Sequence, residues 1–175
     1  MNSLSGITFC GIVVSVLFQF IVSFTYAQTP GGKTTTPLIV GSWKLNPEKS
    51  NLPNFPANRV EIRQYRLRPD GFLVGLLIQT DVQGGYHFLQ FTAKSDGKDY
   101  PEYSDQIVAD MIAAGRPTPR TYSETIVDDH VTNWVDKAEG RVTSQGKKII
   151  SQDGKTLTIT VDGAPPSQVR VYDRQ

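Results

Sequence analysis

The chain has 175 residues, 38% of them hydrophobic, enough for one domain with a core of its own. Lys and Arg total 18 against 17 Asp and Glu, and a net charge of +1 argues against a nucleic-acid binder, which normally presents a basic face or stripe. With one cysteine, Cys10, the fold is not a disulfide scaffold.

Residues 7–24 are almost wholly apolar, and residues 1–27 hold no Asp, Glu, Lys or Arg. Thr25-Tyr26-Ala27 closes the run with small residues at the −3 and −1 positions of a signal-peptidase site. This predicts a signal peptide over 1–27 and a secreted or periplasmic destination. The alternative is an uncleaved N-terminal anchor, because the run approaches the roughly 20 residues that span a bilayer. After cleavage no membrane segment is expected. Cys10 falls in the leader, where Ile7-Thr8-Phe9 lacks the small residue that precedes a lipoprotein cysteine. The cysteine-free remainder points to a bacterial exported setting.

Residues 28–37 carry Pro30, Gly31, Gly32 and four threonines, with nothing to bury, and are expected to be a disordered linker. The domain is expected over 38–175, opening on Gly41-Ser42-Trp43-Lys44-Leu45.

From there the period is two. Arg59, Arg63, Arg66 and Arg68, interleaved with Glu61 and Asp70, read as a solvated strand face. Arg63 and Tyr65 share one face and Val60 and Ile62 the other, a pattern that suggests a bulge. Residues 72–80 are apolar on both faces and predict a strand covered on both sides. Tyr86, Phe88 and Gln90 alternate with His87, Leu89 and Phe91; Leu157, Ile159 and Val161 alternate with threonines. Residues 121–127 and 131–136 are rich in β-formers around Asp128-Asp129-His130, and Val169 and Val171 alternate in the last segment. Pro69-Asp70-Gly71, Gln83-Gly84-Gly85, Ser95-Asp96-Gly97, Glu139-Gly140, Asp153-Gly154 and Asp162-Gly163 punctuate these segments as hairpin turns. The class is all-β: an antiparallel meander of about eight to ten strands, expected to close because closure removes exposed edges.

One segment differs. Ser104 is a candidate N-cap, Ile107, Val108, Met111 and Ile112 follow helical spacing, Gly115 suits the left-handed cap, and Pro117 and Pro119 stop the helix. A helix over about 105–114 results. Its apolar residues Ile107, Met111 and Ile112 must pack on the outer wall or close the open mouth as a lid.

Gly41-Ser42-Trp43-Lys44-Leu45-Asn46-Pro47-Glu48-Lys49-Ser50, Asp96-Gly97-Lys98-Asp99-Tyr100-Pro101, Ser151-Gln152-Asp153-Gly154-Lys155-Thr156-Leu157-Thr158 and Val171-Tyr172-Asp173-Arg174-Gln175, in this order, resemble the lipocalin-like (calycin) barrels of small exported bacterial proteins, mostly of unknown function. The resemblance covers most of 38–175 and departs at 104–119, where such proteins have a short turn. It implies a barrel closing around one small molecule. It further implies that Trp43 plugs the closed end beneath a basic residue of the last strand, either Arg170 or Arg174.

Candidate ligand contacts are strand residues that give a cavity apolar walls and a few polar groups: Tyr65, Tyr86, His87, Phe91, Tyr122 and Trp134, with Arg63 offering a bidentate fork to a carboxylate. Enzyme chemistry is poorly supported. His87 and His130 lie in separate segments, Asp128-Asp129-His130 and Ser144-Gln145-Gly146 read as turns, and Gly-x-Ser-x-Gly is absent. The least implausible acid–base set is Glu124 with His87 or Tyr122. No metal site and no cofactor are expected. The leading reading is an exported barrel that binds a small hydrophobic or amphipathic molecule. The alternatives are a barrel filled by its own side chains, serving as a structural or protein-interaction module, and an enzyme on the same scaffold.

Overall fold

The described residues fold as ten antiparallel strands and one helix: β1 (Gly41–Leu45), β2 (Glu61–Leu67), β3 (Leu73–Thr80), β4 (Tyr86–Ala93), β5 (Tyr100–Ser104), α1 (Asp105–Ala114), β6 (Arg120–Ile126), β7 (Val131–Ala138), β8 (Arg141–Ile150), β9 (Thr156–Val161) and β10 (Val169–Arg174). The structure is a computed structural model that describes residues 36–52, 60–81, 83–163 and 168–175. The expected leader over 1–27 and most of the expected linker lie outside the described residues, as does Arg59. Each strand pairs with its neighbours in sequence, and β1 pairs with β10, so the meander closes into a ten-stranded barrel without edges.

The predicted turns carry the chain between strands. Gly71, Gly84, Gly97, Gly140, Gly154 and Gly163 all have φ between 69° and 84°, a region costly to side-chain-bearing residues. One predicted turn is instead strand. Ser144-Gln145-Gly146 lies in the middle of β8, and Gly146 is needed there because a Cβ would stand 1.9 Å from the Thr160 carbonyl oxygen of β9. The glycine serves close cross-strand approach rather than reversal.

The helix has the expected ends. The Ser104 hydroxyl accepts from the Ile107 N–H at 3.0 Å, and Gly115 adopts φ 63°. The helix packs on β4 and β5 and buries Ile107.

Three expectations about the strands are corrected. Residues 72–80 are not covered on both sides: only the inward Leu73 and Gly75 are fully buried, and Ile78 on the outer face is exposed. The barrel is one layer thick, so its outer face meets water. The β2–β3 register runs unbroken from Glu61↔Gln79 to Leu67↔Leu73, so no bulge intervenes. Nor is β2 a solvated charged face. Glu61 is 1% exposed and shares the inner face with Arg63 and Tyr65, while Arg66 and Arg68 are exposed.

The core gathers at the plugged end. Trp43 is fully buried, its Nε1 donates to the Ile39 carbonyl at 2.8 Å, and Leu45, Leu157, Ile159 and Tyr172 pack around it.

Candidate ligand-binding site

Alternation puts a polar and aromatic set inside the barrel. Glu61-x-Arg63-x-Tyr65 on β2, Arg120-x-Tyr122-x-Glu124 on β6, Trp134-x-Asp136 on β7 and Arg170-x-Tyr172 on β10 each project the named residues to one side of a period-two strand. This interior holds a partly open cavity of about 200 Å³. Its walls are Leu77, Leu89, Ile159 and Val161; its aromatic lining is Phe91, Tyr122 and Trp134; its polar groups are Arg63, Glu102, Asp136, Ser144, Lys148 and Arg170.

Three electrostatic clusters occupy this interior. The first is paired internally. Lys148 is buried and donates to the Tyr122 hydroxyl and, at 3.1 Å, to Glu124 Oε2; Tyr122 donates to the same oxygen at 2.6 Å, and Ser95 donates to Glu124 Oε1 at 2.6 Å. The ammonium also lies 4.9–5.0 Å from the ring centroids of Tyr65, Phe91 and Tyr122. Phe91 and Tyr122 stack with centroids 3.9 Å apart, and Gly75 makes room, since a Cβ there would stand 2.3 Å from Phe91 Cζ. Burial drives the Glu124 carboxyl upward, but the Lys148 charge and the hydrogen bonds of Ser95, Tyr122 and Lys148 hold it below its ordinary value.

The second cluster flanks β1. Arg63 Nε donates to the Tyr172 hydroxyl at 2.8 Å and its Nη2 to Glu61 Oε1 at 3.3 Å, while Tyr172 donates to Glu61. Arg170 Nε lies 3.9 Å from Glu61 Oε2, beyond hydrogen-bond reach, and is buried without a partner among the described residues. Two arginines thus face one carboxylate.

The third cluster flanks β6. Glu102, 4% exposed, and Asp136 have no hydrogen-bond partner for their carboxyls among the described residues. Burial and the charge of Asp136 push Glu102 up to about 8, against the pull of Arg120. Burial pushes Asp136 up to about 6, although Lys148, Arg120 and Arg63 pull it down.

The sequence-derived candidates divide accordingly. Arg63, Phe91, Tyr122 and Trp134 line the cavity, and Tyr65 is buried beside it with its hydroxyl unpartnered. Tyr86 is 78% exposed, outside the cavity. His87 sits near the start of β4 and bridges Asp105 of α1 (2.6 Å) and Asp81 (3.3 Å), with Glu124 not among its partners. At the plug, Arg174 stacks over Trp43 at 4.1 Å, whereas Arg170 lines the cavity. Of the lid residues, Ile107 is buried, Met111 half-buried and Ile112 75% exposed; none lines the cavity. Asp128 caps its own turn by accepting from the His130 and Val131 N–H groups, and among the described residues no group of three or more His, Cys, Asp and Glu is placed to hold a metal ion.

Glu61, Glu102, Asp136 and Lys148 were missed. For two of them a signal was present: Glu61 shares strand parity with Tyr65 on β2, and Asp136 with Trp134 on β7.

No family model matches this chain, and no curated protein matches its sequence. Among solved structures, a mutant of the fluorescent protein UnaG matches with a TM-score of 0.49 and 14% identity, over 78% of this chain and 95% of that one.

Proposed function

We propose that the barrel binds a small amphipathic molecule in its interior, with an acidic group toward Arg63 and Arg170. The observation that carries this reading is the cavity of about 200 Å³ whose lining includes two buried donors without partners, Arg170 Nε and Trp134 Nε1. A buried donor left unpaired costs about 1–3 kcal/mol, and a bound acceptor recovers it. Arginine suits a carboxylate because its planar fork matches two oxygens. The reading keeps the protein in the lipocalin-like group that its motifs resemble. It also takes residues 1–27 as a cleaved export signal, supported by the uncharged apolar run and the Thr25-Tyr26-Ala27 ending.

Native mass spectrometry of protein from its own secretion route, followed by denaturing extraction, tests both parts. A co-purifying small acid and a mature chain beginning at Gln28 are expected. An unliganded mass, with no thermal shift across small carboxylates, fatty acids and isoprenoid acids, supports a barrel filled by its own side chains instead.

A further inference from the structure

We infer that the cavity is built for a compact zwitterion, a molecule with a carboxylate at one end, an ammonium at the other and a short apolar segment between. This rests on the reading that the interior is a binding site and specifies what enters it.

The geometry is two poles on opposite walls. Arg63 and Arg170 stand on β2 and β10, the strands either side of β1; Glu102 and Asp136 stand on β5 and β7, the strands either side of β6. In the ten-strand cycle β1 and β6 are diametrically opposed. Between the poles the lining is Leu77 and Leu89 on one side, and Ile159 and Val161 with Ser144 and Lys148 of β8 on the other. All of these side chains line the same cavity.

Each pole is incompletely satisfied. At the basic pole two guanidiniums share Glu61, and Arg170 Nε has no partner. At the acidic pole Arg120 acts on both Glu102 and Asp136, and Lys148 and Arg63 act on Asp136 as well. The ladder pairs Tyr100↔Tyr122 and Pro101↔Thr121 carry Glu102 toward Arg120. The Glu102 carboxyl is buried and that of Asp136 half-buried, and both open into the cavity. An acid with a purely apolar tail would satisfy the basic pole and lay hydrocarbon against the two carboxyls. An ammonium can donate up to three hydrogen bonds there, to carboxyls that line the cavity opposite the arginines.

The poles are close. The Arg63 charge acts on Asp136 across the cavity, and the volume is about 200 Å³, so the spacer is a few methylenes long. In the empty protein the acidic pair retains a proton near neutral pH. An ammonium displaces it, so binding releases a proton.

The test is calorimetric titration of the full chain at neutral pH with γ-aminobutyrate, butyrate and butylamine, and with ε-aminocaproate, caproate and hexylamine. Within at least one set the amino acid is expected to bind about tenfold or more tighter than either single-headed analogue, a difference of about 1.4 kcal/mol. Its heat should vary with buffer ionisation enthalpy as a proton leaves. In Glu102→Gln and Asp136→Asn proteins the advantage over the carboxylate should vanish while carboxylate binding is kept or tightened. The wild-type comparison needs no variant to fold. Carboxylates binding as tightly as their amino-acid counterparts overturn the inference and leave the binding reading intact. Binding of none of the six probes also overturns it; the binding reading itself then stands or falls on the extracted molecule.

Discussion

The Arg174 guanidinium lies 4.1 Å from the centroid of the Trp43 ring and also donates to the Val40 carbonyl at 2.9 Å and the Gly154 carbonyl at 2.6 Å. One side chain thereby ties the last strand, the segment before β1 and the β8–β9 turn to the buried indole. Arg174→Ala removes a cation–π contact of about 0.5–2 kcal/mol and leaves carbonyls to find water. Trp43→Phe keeps the ring but orphans the Ile39 carbonyl, at about 1–3 kcal/mol. Both are expected to lower Tm by about 2–4 °C per kcal/mol lost, read by calorimetry. An unchanged Tm in both variants would remove the plug role.

Lys148 is the only cation within bonding distance of buried Glu124 among the described residues. Lys148→Met should strand that carboxylate and cost about 3–5 kcal/mol. Adding Glu124→Gln should recover a large part of the loss, because the uncompensated charge is gone. A denaturant double-mutant cycle measures this; strictly additive effects would contradict the pairing.

Glu102 makes the fold acid-preferring at one point. Its folded value, about 8, lies above the ordinary 4.5, so the folded state holds a proton the unfolded chain has lost. Its favourable contribution is therefore full below the unfolded value and is lost as pH rises toward about 8. Glu102→Gln, which cannot ionise, is expected to raise Tm relative to the parent protein above pH ~8 and to bring no gain near pH ~4, where both side chains are neutral. Equal differences at the two pH values would place the carboxyl in water.

His87 ties the start of α1 to the barrel. The Asp105 and Asp81 hydrogen bonds raise its pKa above the ordinary 6.5. A raised histidine stabilises fully below the unfolded value and loses that contribution as pH rises through the folded one. Hydrogen exchange of the α1 amides should therefore accelerate, beyond its intrinsic pH dependence, as the protein is taken from mildly acidic to alkaline pH. In His87→Gln the excess should be absent. An identical pH response in both proteins would show that the helix is held by Ile107 and the Ser104 cap alone.

The helix and the turns were legible because their causes are local. Ser104, Gly115 and the two prolines act within a few residues of themselves, and the hairpin glycines need only a positive φ. The candidate site was half legible. Phe91, Tyr122, Trp134 and Arg63 stand out as aromatics and a guanidinium on alternating strands. Glu61, Glu102, Asp136 and Lys148 did not, because a charged residue in a strand ordinarily faces water, and only the closure of the sheet turns that face inward.

The sequence by itself determined the all-β class, the meander, the helix over 105–114 and the tryptophan that opens the barrel. Hydrophobic period and turn chemistry suffice for these, since each is decided by neighbours a few positions away. Only the tertiary structure decided which member of each alternating pair points inward, that Arg174 rather than Arg170 covers Trp43, and that arginines and carboxyls end on opposite walls of one cavity. Parity along a strand has no absolute sign until the sheet curls. Curling brings β1 to β10 and sets side chains more than a hundred residues apart, such as Arg63 and Tyr172, into one network.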